Sequence, residues 1–508
     1  MIGKYFRMIT YQSTRGEEKS YTFSEALLQG IAHDGGLLVP QTIPTFSRDD
    51  LQQLTNASYQ EVAYFVFFRF QTGIPSRVLQ AMIHKAYASN FDKKEITPVV
   101  ALQDKQYLLE LMHGPTAAFK DLALQIMPLL FAAAEKKQKP AVHHLILVAT
   151  SGDTGKAALE GYKDKEGVSL IVFYPEGHVS QLQKLQMQTQ TGANVHVVAM
   201  QGNFDDCQRS VKEVFTDTVF AKELFAEHNI VLSSANSINW GRLLPQIVYY
   251  IFGYLQLVRK KAITLGDPVD VAVPTGNFGN ILACFYAKKM GLPIAKLICA
   301  SNANNVLTEF LQTGVYDISK RSLIQTPSPS MDILVASNIE RLLFLLTHDA
   351  QQVAAWMHEL QTKKKFTVDN QTKRMLQQTF IADWVPNAVC LVQIKRVFDK
   401  TGYLMDPHTA IAQKVAETFS SKKPVLICAT ADFSKFVKDV YRALFGSKNM
   451  PQDEFALLAA IQNATNVPLP QSILSLNQKP LRHTKTCGIG KEAVEKHVRA
   501  YISSKMSS

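Results

Sequence analysis

The sequence predicts an α/β protein with two open parallel-sheet lobes, a mainly helical N-terminal domain and a C-terminal helical and loop appendage. Short β-branched runs alternate with helical segments from about residue 96 to residue 445, the pattern of parallel sheets covered by helices on both faces. Two of these runs lead into glycine-rich turns that open helices, and each turn marks one lobe. We therefore expect boundaries that give an N-terminal domain over 1–95, the two lobes over 96–445 and the appendage over 446–508.

The N-terminal domain carries two helix signals and one tight turn. The segment "FSEALLQG" indicates a helix whose expected N-cap is Ser24, because a serine oxygen accepts a hydrogen bond from an unpaired N–H of the first turn. The segment "HDGGLLVP" supplies the turn, and "SYQEVAYFVFFRF" indicates the second helix.

The segment "HGPTAAFKDLALQ" (113–125) places Lys120 near the start of a helix. Apolar residues follow it at three-to-four spacing and predict one helix with a buried face: Leu122, Ala123, Ile126, Leu129 and Leu130. A lysine on a helix usually reaches solvent along its apolar stem. At this point both a surface lysine and a buried functional amine remain open.

Two strand–turn–helix segments have the composition of anion-binding sites. In "LILVATSGDTGKAALEGY" (145–162), hydroxyls and two glycines precede a helix expected to start near Lys156. In "VDVAVPTGNFGN", a strand over Val269–Val273 leads to a helix expected to start near Ile281. Glycines leave the backbone N–H groups accessible, and a helix N-terminus favours an anion. A plain tight turn would explain either segment alone, since neither has the dinucleotide or Walker spacing.

The charge balance indicates small anionic ligands. The chain has 508 residues and a formal net charge of +11, with 46% hydrophobic and 19% charged residues, an ordinary globular composition. Its lysine clusters at 136–139, 259–261 and 363–365 are dispersed and lack interleaved aromatic residues. We therefore expect a small-molecule substrate and no nucleic acid.

Other classes are disfavoured by what the sequence lacks. No apolar run reaches the ~18 residues of a membrane span, and the N-terminus has no secretory apolar stretch. The six cysteines form no CxxC pair, so we expect neither a disulfide framework nor a metal site, and we expect a cytoplasmic protein.

The two turns and the lysine together suggest one kind of cofactor. One anion site can serve a cofactor and the other a substrate. A phosphorylated aldehyde would also explain Lys120, because a desolvated lysine amine forms Schiff bases.

These motifs carry a family resemblance. "HGPTAAFKD", "TSGDTG" and "PTGNFGN" together resemble threonine synthase, a pyridoxal-phosphate enzyme family of the tryptophan-synthase-β kind (fold type II). Further matching blocks follow in family order: "YQSTRG…HDGGLLVP", "SANSINWGRLLPQIVYY", "SPSMDILVASNIERLL" and "GYLMDPHTAIA". The resemblance covers roughly residues 8–440 and points to the longer branch found in bacteria and fungi.

The resemblance implies roles for individual residues and a lyase acting on a phosphate ester. Lys120 corresponds to the catalytic lysine that holds pyridoxal 5'-phosphate as a Schiff base and then shuttles protons. Further cofactor-binding positions are Gly276, Asn277, Phe278, Gly279 and Asn280 at the phosphate and Thr430 at the pyridine nitrogen. Substrate-binding positions are Thr150, Ser151, Asp153, Thr154, Asn236, Ser237, Asn239 and Arg242. Arg242 suits a phosphate because its planar fork donates two hydrogen bonds, although a structural ion pair is the alternative for it.

One segment departs from the family pattern. The family has Thr-Ala-His-Pro-x-Lys-Phe, whereas this chain has Asp432 and Phe433 in place of the His-Pro pair and keeps Lys435. The implied reaction is the conversion of O-phospho-L-homoserine and water to L-threonine and phosphate. The altered segment motivates an alternative, a related phospholyase that gives 2-oxobutyrate, ammonia and phosphate. A third hypothesis is a catalytically dead binding relative. As a partner we expect only the small substrate, with no membrane, in a monomer or homodimer.

Overall fold

The chain forms two compact units. A computed structural model describes residues 8–137, 142–150, 152–177, 179–419 and 423–506. The first unit consists of the described residues of Met1–His113 and Ser237–Ala431, and the second of those of Gly114–Asn236 and Asp432–Ser508. Each unit therefore combines two separate stretches of the sequence. These units divide the chain at other positions than 95/96 and 445/446. The domain boundaries expected from the sequence stay predictions.

The strands of the described residues are numbered in chain order. They are β1 (Tyr11–Ser13), β2 (Leu38–Pro40), β3 (Val99–Gln103), β4 (Gln106–Glu110), β5 (His143–Ala149), β6 (Val168–Pro175), β7 (Val195–Met200), β8 (Ile230–Ser233), β9 (Val269–Pro274), β10 (Ile294–Ser301), β11 (Val315–Asp317), β12 (Lys365–Thr367), β13 (Phe380–Trp384), β14 (Val425–Ala429) and β15 (Lys485–Cys487).

The helices of the first stretch of each unit are α1 (Phe23–Gln29), α2 (Arg48–Gln53), α3 (Tyr59–Arg69), α4 (Ser76–Ala86), α5 (Asp121–Leu124), α6 (Met127–Glu135), α7 (Asp153–Tyr162), α8 (Gln181–Gln188), α9 (Phe204–Thr216) and α10 (Thr218–His228). Those that follow are α11 (Trp240–Arg259), α12 (Gly279–Met290), α13 (Val306–Thr313), α14 (Ile339–Thr347), α15 (Ala350–Lys363), α16 (Asn370–Thr379), α17 (Asn387–Thr401), α18 (Pro407–Thr418), α19 (Val437–Phe445), α20 (Glu454–Thr465), α21 (Gln471–Leu474) and α22 (Lys491–Met506). Short 3-10 helices lie at Pro329–Met331, Phe433–Phe436 and Ser475–Gln478.

The first unit is organised around a six-stranded sheet with the order β13-β10-β9-β14-β4-β3. All neighbouring strands in it are parallel except β3 and β4. Strands β9 and β14 are adjacent, with Ala272 opposite Ile427. Because parallel strands end at the same edge of a sheet, the loop after β9 and the residue after β14 lie at one edge.

The second unit contains a five-stranded sheet with the order β15-β7-β6-β5-β8, in which every pair is parallel. Its edge strand β15 comes from the C-terminal stretch of the chain. From the same stretch, α22 packs Val494 and Val498 against Cys207 and Val211 in one buried apolar cluster. The C-terminal residues therefore complete the core of this unit. The two parallel sheets confirm the fold class predicted from the sequence.

Two local predictions were wrong. Helix α1 is capped by Thr22 and not by Ser24, because Thr22 and Glu25 form a reciprocal capping box. The single helix expected after Lys120 is divided into α5 and α6, and Pro128 lies in the first turn of α6, where a proline without N–H is tolerated. The apolar face survives the break, since Leu122, Ala123, Ile126 and Leu130 are buried.

Two further findings concern the described part of the chain. Among the described residues, none of the helices has the length and apolar character needed to cross a membrane. All six cysteines belong to the described part, and each is free and buried.

Candidate active site

Lys120 lies immediately before α5, and its side chain is only 10% exposed. The turn that precedes it is ordered by Asp121, whose carboxylate accepts hydrogen bonds from the backbone N of Thr116 at 2.8 Å and its Oγ1 at 2.7 Å. A Cβ at Gly114 would meet the Asp121 side chain at 2.5 Å, so the glycine is required for this turn. Burial raises the pKa of Asp121 to about 6, against the lowering effect of the Thr116 hydrogen bonds and of Lys435. Because the Lys120 side chain is buried, its interpretation as a surface lysine was wrong.

Asp153, the first residue of α7, is the carboxylate partner of Lys120. Its Oδ2 lies 3.2 Å from the Lys120 Nζ. Its Oδ1 lies 2.8 Å from the Nζ of Lys435, a side chain with no exposed surface, and accepts a hydrogen bond from Gln183 Nε2 at 3.1 Å. Lys435 was identified in the sequence without a role, and Gln183 was not predicted to belong to the site.

The turn between β5 and α7 is held by Thr150. Its Oγ1 accepts hydrogen bonds from the backbone N of Gly152 and of Gly155, both at 3.0 Å. Gly152 adopts a φ of +139°, and a Cβ there would meet the Gln183 side chain at 2.7 Å. Thr154 is half-buried in the first turn of α7. Ser151 lies outside the described residues. The helix begins at Asp153, three residues earlier than expected.

The loop after β9 has the backbone of an anion-binding turn. Phe278 adopts a φ of +63° and directly precedes α12, which begins at Gly279 and not near Ile281. A Cβ at Gly276 would meet Ser330 O at 2.9 Å, whereas at Gly279 it would meet only Asn338 Nδ2, at 3.5 Å. The Asn277 carbonyl accepts hydrogen bonds from the Asn338 backbone N at 3.2 Å and from its Nδ2 at 3.1 Å. A Cβ at Gly279 would therefore make only an ordinary van der Waals contact, at a helix N-terminus that favours an anion.

Asn280, in the first turn of α12, offers a directed donor. Its Oδ1 accepts a hydrogen bond from Tyr249 Oη at 2.7 Å and another from Tyr250 Oη. These bonds fix the amide orientation, and the buried Asn280 Nδ2 has no hydrogen-bond partner among the described residues. An anion at the start of α12 would satisfy this donor. The sequence gives little indication of this arrangement, because the segment "VYY" that contains Tyr249 and Tyr250 is equally typical of an ordinary buried helix.

Thr430 follows β14 and is 5% exposed. Because β14 lies beside β9, Thr430 and the 275–280 loop are at the same edge of the first unit's sheet. The described geometry thus brings together the positions expected for the cofactor phosphate and for the pyridine nitrogen.

The residues expected to hold the substrate phosphate have varied surroundings. Asn236 is exposed and belongs to the second unit. In the first unit, Ser237 contacts Ser337 through their hydroxyls at 3.3 Å, and Arg242 is buried in the first turn of α11. Asn239 caps α11 through Gly241 N at 2.9 Å and donates its Nδ2 to Leu27 O at 2.8 Å. These contacts give Asn239 a structural role, and its substrate role stays a prediction.

Two parts of the chain match known protein families. Residues 94–376 match the family of pyridoxal-phosphate dependent enzymes, and residues 10–87 match the family described as threonine synthase N terminus. The chain is 38% identical to threonine synthase from Saccharomyces cerevisiae, covering 86% of this chain and 90% of the yeast protein. The crystal structure of pyridoxal-phosphate-bound threonine synthase from Brucella melitensis superimposes with a TM-score of 0.86 at 37% identity, over 97% of this chain and 99% of that one.

A human relative is similar over a shorter share of its length. The chain is 42% identical to human threonine synthase-like 1 over 94% of this chain and 66% of the human protein. It therefore spans just under two thirds of that relative.

These matches define a pyridoxal-phosphate-dependent enzyme. The chain belongs to the threonine synthase family, and the resemblance stated from its motifs is confirmed. The cofactor of this family is pyridoxal 5'-phosphate, and the described residues fit it in two respects. The Asn280 Nδ2 is an unsatisfied donor at a helix N-terminus, and the Lys120 amine is buried beside a carboxylate.

Proposed function

We propose that the protein is a threonine synthase, which converts O-phospho-L-homoserine and water to L-threonine and phosphate by γ-elimination and β-addition of water. The observation that carries the proposal is the buried amine of Lys120, 3.2 Å from Asp153, in a chain of this family. The neutral form of a lysine amine is a nucleophile for an aldehyde.

Pyridoxal 5'-phosphate is proposed to be held by three groups of residues. Lys120 would hold it at its aldehyde carbon, the residues 276–280 would bind its phosphate, and Thr430 would meet its pyridine nitrogen. When bound, the cofactor supplies an electron sink for the charge left on substrate carbons after proton removal. A hydroxyl at Thr430, where a carboxylate would favour a protonated ring, makes that sink a mild one.

The chain's own residues position the substrate and move its protons. The Lys120 Nζ takes the proton from the substrate Cα and then one from Cβ, and phosphate leaves from Cγ. One proton is delivered to Cγ, water adds its OH to Cβ while its other proton leaves with phosphate, and Lys120 returns a proton to Cα. The buried Arg242 guanidinium is proposed to bind the substrate phosphate together with Asn236, Ser237 and Asn239, since a planar fork can donate two parallel hydrogen bonds. Thr150, Ser151, Asp153 and Thr154 are proposed to face the amino-acid end of the substrate.

Product analysis tests the reaction. The purified protein is incubated with O-phospho-L-homoserine, and phosphate, threonine, 2-oxobutyrate and ammonia are quantified together. The proposal predicts one threonine for each phosphate. Equal amounts of phosphate, 2-oxobutyrate and ammonia without threonine would contradict it, and would support the phospholyase.

The phospholyase is a second candidate because of the segment that follows Thr430. Asp432 accepts hydrogen bonds from the Ser434 backbone N at 2.9 Å and from its hydroxyl, so it caps the 3-10 helix that carries Lys435. A residue that builds this turn cannot supply the imidazole found in the family pattern. If this difference favours elimination, the double variant Asp432→His, Phe433→Pro moves the product from 2-oxobutyrate toward threonine. An unchanged product ratio would remove the reason for this candidate.

We also propose that the reaction takes place in the cytoplasm, in a monomer or homodimer. A reducing compartment would keep the six buried cysteines in the free form in which they occur. Sedimentation of the purified protein gives the subunit number directly.

A further inference from the structure

Two lysine side chains meet in the second unit at a single carboxylate, that of Asp153. Asp153 offers Oδ2 to the Lys120 Nζ at 3.2 Å and Oδ1 to the Lys435 Nζ at 2.8 Å. The residues come from distant parts of the sequence: Lys435 follows the 432 segment, whereas Asp153 begins α7. One carboxylate is therefore shared by two lysine side chains, and the surroundings of the two lysines differ.

Lys435 is the more deeply buried of the two lysines. Its side chain has no exposed surface, whereas that of Lys120 is 10% exposed. The Lys435 Nζ also donates to Thr116 O at 2.7 Å, in the turn that leads to Lys120. A buried ammonium is costly unless it is paired, and Asp153 is a carboxylate in direct contact with it. The Lys435–Asp153 pair is thus the structural ion pair, and Lys120 approaches a carboxylate whose charge is already balanced.

We propose that Lys435 is a positioning residue for the proposed reaction, which holds the Asp153 carboxylate and compensates its charge so that the Lys120 amine can lose its proton. Without Lys435, Asp153 would be a full counter-ion for Lys120 and would hold that amine as an ammonium. Gln183 supports the arrangement, because its Nε2 donates to Asp153 Oδ1 at 3.1 Å. The proposal rests on the proposed function of Lys120 and assigns a role to a lysine that needs no contact with the substrate.

The other ionisable groups on the surrounding elements have partners of their own. Asp121 on α5 accepts two hydrogen bonds from Thr116. Glu160 on α7 lies 3.5 Å from the Nζ of Lys156, and Asp432 accepts from Ser434 at the start of the 3-10 helix. The Lys435 charge also acts on Asp121, whose pKa it lowers. Asp153, however, is in direct contact with both lysines, so a change at Lys435 reaches Lys120 chiefly through Asp153.

The proposal predicts shifts of opposite sign in the pKa of the Lys120 amine. An opposite charge within about 4–6 Å moves a pKa by about one to three units, and a like charge moves it the other way. In Lys435→Met, Lys120 is the only lysine in contact with Asp153, so the pKa of the Lys120 amine rises by about one unit or more. This pKa is the midpoint of the Lys120 titration. Asp153→Asn removes the attraction and lowers the midpoint. Lys435→Arg keeps the charge and leaves the midpoint near that of the unmodified chain.

Trace acetylation of the full-length, cofactor-stripped protein measures this midpoint. The rate of labelling at Lys120 is followed from pH 6 to pH 11 by mass spectrometry of its peptide. Lys438→Met is the matched control, since Lys438 is three residues further on, 44% exposed and paired with Glu454. We expect it to leave the midpoint unchanged. Circular dichroism confirms that each variant is folded.

The outcomes separate this proposal from a purely structural role. A structural lysine predicts that Lys435→Met leaves the Lys120 midpoint at the value found for Lys435→Arg, or shifts it in the same direction as Asp153→Asn, and either result overturns the proposal. If Lys435→Met does not fold, the double variant Asp153→Asn, Lys435→Met is compared with the single variant Asp153→Asn, and its Lys120 midpoint must lie above that of the single variant because a like charge has been removed. A midpoint equal to or below that of Asp153→Asn would again overturn the proposal.

A failure of the proposed function would be detected by a separate measurement, borohydride reduction of the holoprotein. If borohydride fixes no pyridoxyl group on Lys120, the cofactor role is lost, yet the order of the acetylation midpoints still decides whether Lys435 controls the charge on this amine.

Discussion

His113, the first residue of the motif that leads to Lys120, has a charge that depends on two carboxylates. Its Nδ1 lies 2.7 Å from Asp92 Oδ1 and its Nε2 lies 2.9 Å from Glu110 Oε2. Burial lowers the pKa of His113, but the hydrogen bonds to Asp92 and Glu110 outweigh it and raise the pKa to about 9. Because the folded pKa lies above the unfolded one, the stabilisation is complete below about pH 6.5 and is lost as the pH rises through about 9.

The variant His113→Gln tests this pH dependence. We expect it to lower the free energy of unfolding by about 3 kcal/mol at pH 6, since each pKa unit corresponds to about 1.4 kcal/mol. The difference from the unmodified chain should shrink as the pH approaches 10. Thermal melts of both proteins across this range measure it, with the exposed His84→Gln as control. A difference that is constant with pH would show that His113 acts by packing and not by charge.

Single residues of the site were predictable only where the signal was local. Lys120 and the glycines of the 276–280 loop could be identified because the residues around them set the local backbone. The Lys435–Asp153 ion pair joins residues 282 positions apart in the chain (435 − 153), and no local pattern encodes it. The second role of Asn239, as an N-cap that also donates to Leu27, was hidden for the same reason.

The turn between β9 and α12 makes different demands on its two glycines. A Cβ at Gly276 would lie 2.9 Å from Ser330 O and 3.1 Å from Met331 Cα, which are backbone atoms that cannot yield freely. A Cβ at Gly279 would meet only Asn338 Nδ2, at an ordinary contact distance of 3.5 Å. The first glycine is needed by the fold, whereas the protein alone would accommodate a Cβ at the second.

The two alanine variants should therefore separate stability from cofactor binding. Gly276→Ala is expected to cost about 1–3 kcal/mol of stability by overpacking. Gly279→Ala should melt within about 2 °C of the unmodified chain, as expected for a change of under about 0.5 kcal/mol, yet bind pyridoxal phosphate at least tenfold more weakly. Fluorescence titration of cofactor-stripped protein gives the affinity. Unchanged affinity in Gly279→Ala would show that this loop does not hold the phosphate.

The order of strands and helices along the chain was predictable from the sequence, but the pairing of strands within each sheet was not. The apolar runs of β5 and β9, each followed by a glycine turn and a helix, were identified from composition. By contrast, the three residues of β15 carry no strand signal of their own, and they join the sheet only because β7 offers an open edge. The break between α5 and α6 was missed because the apolar spacing continues through it.

At the scale of the whole molecule, the C-terminal stretch, which was predicted to be an appendage, contributes to the buried core of the second unit. Five of its side chains lie in one buried cluster with residues of α9 and β7: Cys487, Val494, Val498, Tyr501 and Ile502. Each fully buried apolar side chain of this size contributes about 1.5–3 kcal/mol. The second unit therefore depends on residues at the far end of the sequence.

A chain ending at residue 445 should consequently lose this core. We expect it to be insoluble or to melt at least about 10 °C lower than the full chain, since several kcal/mol of burial are removed. The exposed Lys496→Asp is the control on the same helix and should melt like the unmodified protein. A shortened chain as stable as the full one would instead support a separate appendage over 446–508.

Covalent attachment of the cofactor at Lys120 is the step on which the proposed function depends. The holoprotein is reduced with borohydride, digested and mapped by mass spectrometry, and Lys120→Ala is treated in parallel. We predict a pyridoxyl group on the peptide that contains Lys120, and none on any peptide of Lys120→Ala. A pyridoxyl group on Lys156, Lys435 or another lysine, with Lys120 unmodified, would contradict the assignment.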